Sequence, residues 1–131
     1  MTLSTEVLVL DSGGVSRLAE RTVTAAALLS ALRAEGLWPL VVPSPVLIEA
    51  LHGDARDAPA NRFLKTCEIV EDIPETLVRR AASLRTGAHR GSAIDALVVA
   101  SAEPGGSVLT SDPSDLAALA AHAHDVHVER V

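Results

Sequence analysis

Residues 6–14 read "EVLVLDSGG": four apolar residues run straight into a carboxylate, Asp11, and then into Gly13 and Gly14. An unbroken valine–leucine run bounded by turn residues predicts a buried strand over Val7–Leu10. Its abrupt end on an acid admits two readings. Asp11 accepts hydrogen bonds in a turn or helix cap while the glycines let the chain turn away. Alternatively, a sheet edge presents the carboxylate for chemistry.

The chain on either side decides what kind of sheet this is. "VSRLAE" predicts a short helical turn, and residues 22–36 a helix with Leu28, Leu29 and Leu32 on one side and Gly36 as its stop. A second strand is predicted over Leu40–Val42. "SPVLIEALHG" then predicts a helix with Ser44 as N-cap, Pro45 at its first position and Gly53 at its end. "DARDAPAN" reads as a polar loop, "NRFLKT" as a helical piece and "CEIVED" as a third strand.

Residues 73–91 predict a helix with Pro74 in its first turn and Leu77, Ala81 and Leu84 on one face. "SAIDALVVASAEPG" predicts a mostly buried helix closed by Pro104 and Gly105. "SVLTSD" predicts a fourth strand, "PSDLAALAAHA" a last helix and "DVHVERV" a last strand. Strands alternating with helices predict an α/β domain with a mainly parallel sheet, single over residues 1–131. In such sheets ligands gather beyond the carboxyl ends of the strands, where the strand order reverses. Asp11 and Asp112 both follow strands.

Composition narrows the chemistry. Apolar residues make up 48% of the 131, so the chain can build a core, and aromatics only 2%, so recognition by stacked aromatics is excluded. Mean hydropathy is +0.29. The longest apolar runs are too short to span a bilayer, and no signal sequence is evident, so a cytoplasmic protein is expected. Cys67 is the single cysteine and makes no internal disulfide. The net charge of −6 opposes binding to nucleic acid unless the acids are clustered around cations.

Each acid has a structural reading when taken alone. Asp11 fits a turn, Asp95 a capping box with Ser92 in "SAID", and Asp112 an N-cap in "DPSD" with Asp115 as a favourable first-turn acid. Glu49 interrupts the apolar helix "PVLIEALHG", so it lies either on an exposed edge or beside a partner. Taken together, several convergent carboxylates need a cation between them. Hard oxygen donors suit magnesium or manganese, which activate water and stabilise charge on a phosphodiester.

Four stretches in order, "VLVLDSGG", "PSPVLIEALHG", "SAIDALVVASAE" and "SVLTSDPSDLAALA", resemble the PIN-domain ribonucleases, and in particular the VapC-type toxins of bacterial toxin–antitoxin pairs. The likeness covers nearly the whole chain. It implies a three-layer α/β/α fold with a mainly parallel sheet of four to five strands. It further implies a Mg²⁺- or Mn²⁺-dependent endoribonuclease whose site is Asp11, Glu49, Asp95 and Asp112. The partners it implies are an RNA substrate, a cognate antitoxin and a second copy of the chain in a homodimer. The family's last motif often carries a second acid two residues after the first. Here that place is Ser114 and the acid is Asp115, which joins the candidate metal set. Thr110 and Ser111 are candidates to orient a ligand or a water.

The four principal acids account for −4 of the −6, so bound cations reconcile an acidic chain with an RNA substrate. Arg79, Arg80, Arg85 and Arg90 form an acid-free run that reads as a solvated helix face before an RNA-facing strip. His122, His124 and His127 lie close in sequence, but on a helix-to-strand connection where they need not converge. A PIN-like binding or regulatory module without activity is the alternative function. An aspartate-nucleophile phosphatase ranks low because its second aspartate would fall at Gly13, and "DSGGVSRLAE" lacks the spaced glycines of a dinucleotide site.

Overall fold

A computed structural model of the protein describes residues 6–131. Its strands are β1 (Leu8–Leu10), β2 (Val41–Pro43), β3 (Glu68–Val70), β4 (Ser107–Thr110) and β5 (His127–Arg130). They form one parallel sheet in the order β3-β2-β1-β4-β5. Leu8, Val9 and Leu10 stand opposite Ser107, Val108 and Leu109. β1 and β4 are buried along their length; β1 is an unbroken apolar run, and β4 places Val108 and Leu109 between a buried Ser107 and a buried Thr110. The edge strands instead expose Glu68, Glu129 and Arg130, charges that discourage further pairing.

Helices α1 (Ser12–Ala19), α2 (Val23–Ala34), α3 (Leu47–Ala50) and α4 (Ala58–Leu64) lie between β1 and β3 in the chain. Helices α5 (Glu75–Ala88) and α6 (Ala93–Ala102) join β3 to β4, and α7 (Ser114–Ala120) joins β4 to β5. α1 packs on β1 and β4 and gathers α2, α3 and α4 around it, whereas α6 packs on β1, β2 and β4 beside α5 and α7. The architecture is therefore three-layered, α/β/α, around one apolar cluster that includes Leu10, Val15, Val98, Val108 and Leu119. Five consecutive residues of α6, Ala96–Ala100, are buried, as expected of a helix apolar on every side.

Several local expectations are corrected. Gly13 and Gly14 do not turn the chain away from Asp11, because the chain enters α1 directly at Ser12. Ser44 is not an N-cap: β2 runs to Pro43, which itself takes the extended cap conformation, so Ser44 is already the first residue of a 3-10 turn, Ser44–Val46. The helix after it is only α3, four residues long. "DARDAPAN" is no loop; Asp54 caps a 3-10 turn, Ala55–Asp57, and Pro59 then lies in the first turn of α4. Pro74 is the residue before α5 and not within it.

β1 leads to β2 on one side of it, while β4 returns to pair on the other. The strand order thus reverses between β1 and β4, and the crevice beyond their carboxyl ends is bordered by Asp11 and by Ser111 and Asp112.

Candidate carboxylate site

Asp11 follows β1 and caps α1, so the cap and sheet-edge readings of this acid hold together. Its Oδ1 accepts from the Gly14 amide at 2.7 Å. Its Oδ2 accepts from the Thr110 hydroxyl at 2.6 Å, across the switch point. The Thr110 Oγ1 in turn accepts from the Asp112 amide at 3.0 Å, tying the chain after β4 to the acid after β1. Thr110 is fully buried and Asp11 is 9% exposed. The glycine at position 14 exists for proximity: a Cβ there would collide with the Leu109 carbonyl oxygen. α1 can start this close to β4 only without a side chain.

Burial pushes the Asp11 carboxyl above its ordinary range; the Thr110 and Gly14 hydrogen bonds oppose that rise, and the nearby charge of Asp95 adds to it. Asp95 is in the first turn of α6 and half-buried. Its amide donates to Ser92 Oγ at 3.0 Å and its Oδ2 accepts from the Ser92 amide at 3.1 Å, which completes the capping box expected from "SAID". The same side chain is thus structural and electrostatically coupled to Asp11.

Glu49 lies on the exposed side of α3, next to Ile48, while Val46 points into the core. Among the described residues it makes no hydrogen bond or ion pair, so of the two readings open to it the exposed edge is the one found. Asp112 is exposed too, and its Oδ1 accepts only a long contact, 3.4 Å, from the Ser114 amide. Pro113 occupies the cap position of α7, because Asp112 lies in the turn that Thr110 organises. Asp115 is engaged by Arg90, whose Nε donates to Oδ1 at 2.9 Å while an amino group donates to Ser114 Oγ at 3.0 Å. Ser111 lies over Gly13.

Among the described residues, no three histidine, cysteine or acidic side chains are grouped so as to enclose a metal ion. The histidines after α7 do not converge either; His127 contacts Asp125 instead, at 3.2 Å. Asp11 and Asp95 are the pair that is brought together. The donor set is nevertheless of the right chemistry. Each Asp11 oxygen accepts one hydrogen bond and retains further acceptor capacity, and burial beside a second carboxylate is a setting in which a hard divalent cation relieves an electrostatic cost.

Sequence reasoning missed two acids. Asp57 is buried, its oxygens accepting from the amides of His52 and Gly53 at 2.8 and 2.7 Å, and these amides hold its carboxyl below the ordinary range. It fastens His52 and Gly53, the segment just after α3, the helix that carries Glu49. Pro59 after "DARD" was the overlooked sign of a helix start there. Glu103 takes a paired fork from Arg80, both bonds 2.8 Å, and its Oε2 also accepts from the His124 amide at 2.7 Å. The arginine run is therefore divided: Arg79 pairs with Glu75 on a solvated face, Arg80 is structural, and Arg85 and Arg90 face elsewhere. Burial pushes the Cys67 thiol up to about 11, the behaviour of an inert packing residue.

Solved structures share this architecture. FitAB bound to an IR36 DNA fragment has a TM-score of 0.62, with 19% identity over 95% of this chain and 94% of that one. FitAcB from Neisseria gonorrhoeae has a TM-score of 0.61, with 18% identity over 93% and 96%. PAE2754 from Pyrobaculum aerophilum has a TM-score of 0.62, with 16% identity over 94% and 90%. The fold is PIN-like. No protein-family model matches the sequence, and no curated protein does. Within the PIN-like fold, Asp11 and Thr110 occupy the strand ends at the switch point. No helix among the described residues is long and apolar enough to cross a membrane.

Proposed function

We propose that the protein is a VapC-type toxin, an endoribonuclease dependent on Mg²⁺ or Mn²⁺. The observation that carries this reading is Asp11, a buried carboxylate held at the switch point of a PIN-like sheet with the charge of Asp95 nearby. Asp11 and Asp95 would hold the ion. Glu49 and Asp112, both exposed, would complete the ligand set. A bound divalent cation supplies Lewis acidity and an ionised water for phosphodiester hydrolysis. The chain's own contribution is placement. The Gly14 amide and the Thr110 hydroxyl fix both oxygens of Asp11, and the capping box fixes Asp95, so the pair is set before any ligand arrives.

The reading extends to a cognate antitoxin, whose cationic side chain could neutralise the same acids, and to a homodimer. A PIN-like binding module without activity is the second reading. It is favoured by the dispersal of Glu49 and Asp112, which leaves no closed ligand group among the described residues. Cleavage of total cellular RNA with magnesium or manganese distinguishes the two, wild type beside Asp95→Asn and each freed of copurified protein. Discrete products from the wild type alone are expected. Identical traces from both folded proteins would favour the binding module, or a narrow substrate absent from the sample.

A further inference from the structure

His89 caps the end of α5 in the left-handed conformation at φ 56°, and Gly91 follows at φ 92°. The chain therefore reverses within three residues and enters α6 at Ser92. A side chain at Gly91 would be strained, because L-residues rarely adopt this φ, and its Cβ would stand 2.7 Å from Leu119 Cδ1. The reversal opens a cleft of about 450 Å³ lined by Arg85, Thr86, His89, Arg90 and two small residues. No acid lines it.

Both guanidinium groups are anchored but not used up. Arg85 donates through Nε to the Gly91 carbonyl at 3.2 Å, and among the described residues it has no carboxylate partner. Arg90 is steadied at the rim by Asp115 and Ser114. That ion pair is about half exposed, 54% and 47%, so water screens it and the guanidinium keeps its capacity for a second anion. Two fixed planar forks beside a hydroxyl and an imidazole match the oxygens of a phosphodiester. No phenylalanine, tyrosine or tryptophan lines the cleft, so its lining favours the phosphate backbone over a stack of bases. Gly91, one wall of the cleft, is adjacent to Ser92, the residue that caps the turn carrying Asp95.

We propose that this cleft seats a backbone phosphate of the RNA strand flanking the carboxylate site, gripped by Arg85 and Arg90, with Asp115 as the positioning residue for Arg90. The proposal rests on the ribonuclease reading. It also gives the displaced acid a role: Asp115 holds an arginine and does not ligate the metal.

The test is fluorescence anisotropy of a labelled oligouridylate with the full chain carrying Asp11→Asn, in magnesium, across a potassium chloride series. Added Arg85→Gln or Arg90→Gln weakens binding about threefold to tenfold and lowers the slope of log K against log salt by about 0.7 each. Arg79→Gln, on the same helix but paired with Glu75, changes neither. Arg85→Lys keeps most of the slope. In the cleaving protein, Asp115→Asn raises KM about threefold and leaves kcat and the magnesium requirement unchanged. Melting curves establish that each variant is folded.

Unchanged affinity and slope in both arginine variants overturns the cleft while leaving the nuclease in place. A raised magnesium requirement in Asp115→Asn overturns its positioning role and puts it on the metal. Cleft-dependent binding by a protein that never cleaves RNA supports the cleft and overturns the nuclease. Absence of both binding and cleavage overturns both.

Discussion

Asp57 gives both of its oxygens to backbone amides, those of His52 and Gly53, whereas Asp11 gives one to an amide and the other to the Thr110 hydroxyl. Both aspartates are buried, yet their carboxyls move in opposite directions. The amides around Asp57 hold it below the ordinary range, with His52 contributing most. At Asp11 desolvation outweighs the hydrogen bonds, and Asp95 adds repulsion. Burial alone does not mark a functional acid. What distinguishes Asp11 is that its charge is left incompletely compensated, at the edge where a ligand would enter.

The sharpest way to break this comparison is to neutralise each acid without changing its shape. Asp11→Asn is expected to reduce metal-dependent RNA cleavage by about 100-fold or more, measured at matched concentration of folded protein. Its thermal midpoint should hold or rise at neutral pH. A fall like that of a structural acid would place Asp11 with Asp57 and restore the cap as its whole role. Gly14→Ala tests placement: the collision with the Leu109 carbonyl should cost about 1–3 kcal/mol in denaturant unfolding, and cleavage should fall along with stability.

A third carboxylate extends the series. Arg80 holds Glu103 below the ordinary range, chiefly by hydrogen bonding. Glu103→Gln should cost about 1 kcal/mol of stability, since the pair is partly exposed, with cleavage unaffected. The smallest effect is one of shape. Asp57, with a depressed folded pKa, stabilises the protein above the ordinary aspartate range, and that contribution is lost as pH falls through the folded value. Asp11, with a raised one, contributes below the ordinary range and loses that contribution as pH rises through its folded value. In metal-free melts, Asp57→Asn should flatten the acid limb of the stability profile, and Asp11→Asn should lift the neutral side. Parallel profiles for the two variants would remove the distinction.

The strands and the long helices were legible because burial imposes a pattern on consecutive residues. β1 is apolar throughout because both of its faces are covered, β4 shows the same burial at Val108 and Leu109, and α6 announces itself by the box at Ser92 and Asp95. Pairing partners leave no such trace. Arg90 meets Asp115 across 25 residues, and Arg80 meets Glu103 across 23. The four candidate acids were visible as a set, but only the folded chain separates Asp11, with Asp95 near it, from the exposed Glu49 and Asp112. Asp57 escaped notice because proline and aspartate mark loops and helix starts alike, and only the amides it meets tell them apart.

The Thr110–Asp11 hydrogen bond spans 99 positions. A ribosome makes β1 first and its neighbour β4 only after most of the chain is out. Until Thr110 clears the exit tunnel, one edge of β1 stays open and Asp11 lacks half of its support. The two-strand support of Asp11 is therefore completed late in synthesis, and a chain that stops before Thr110 lacks it.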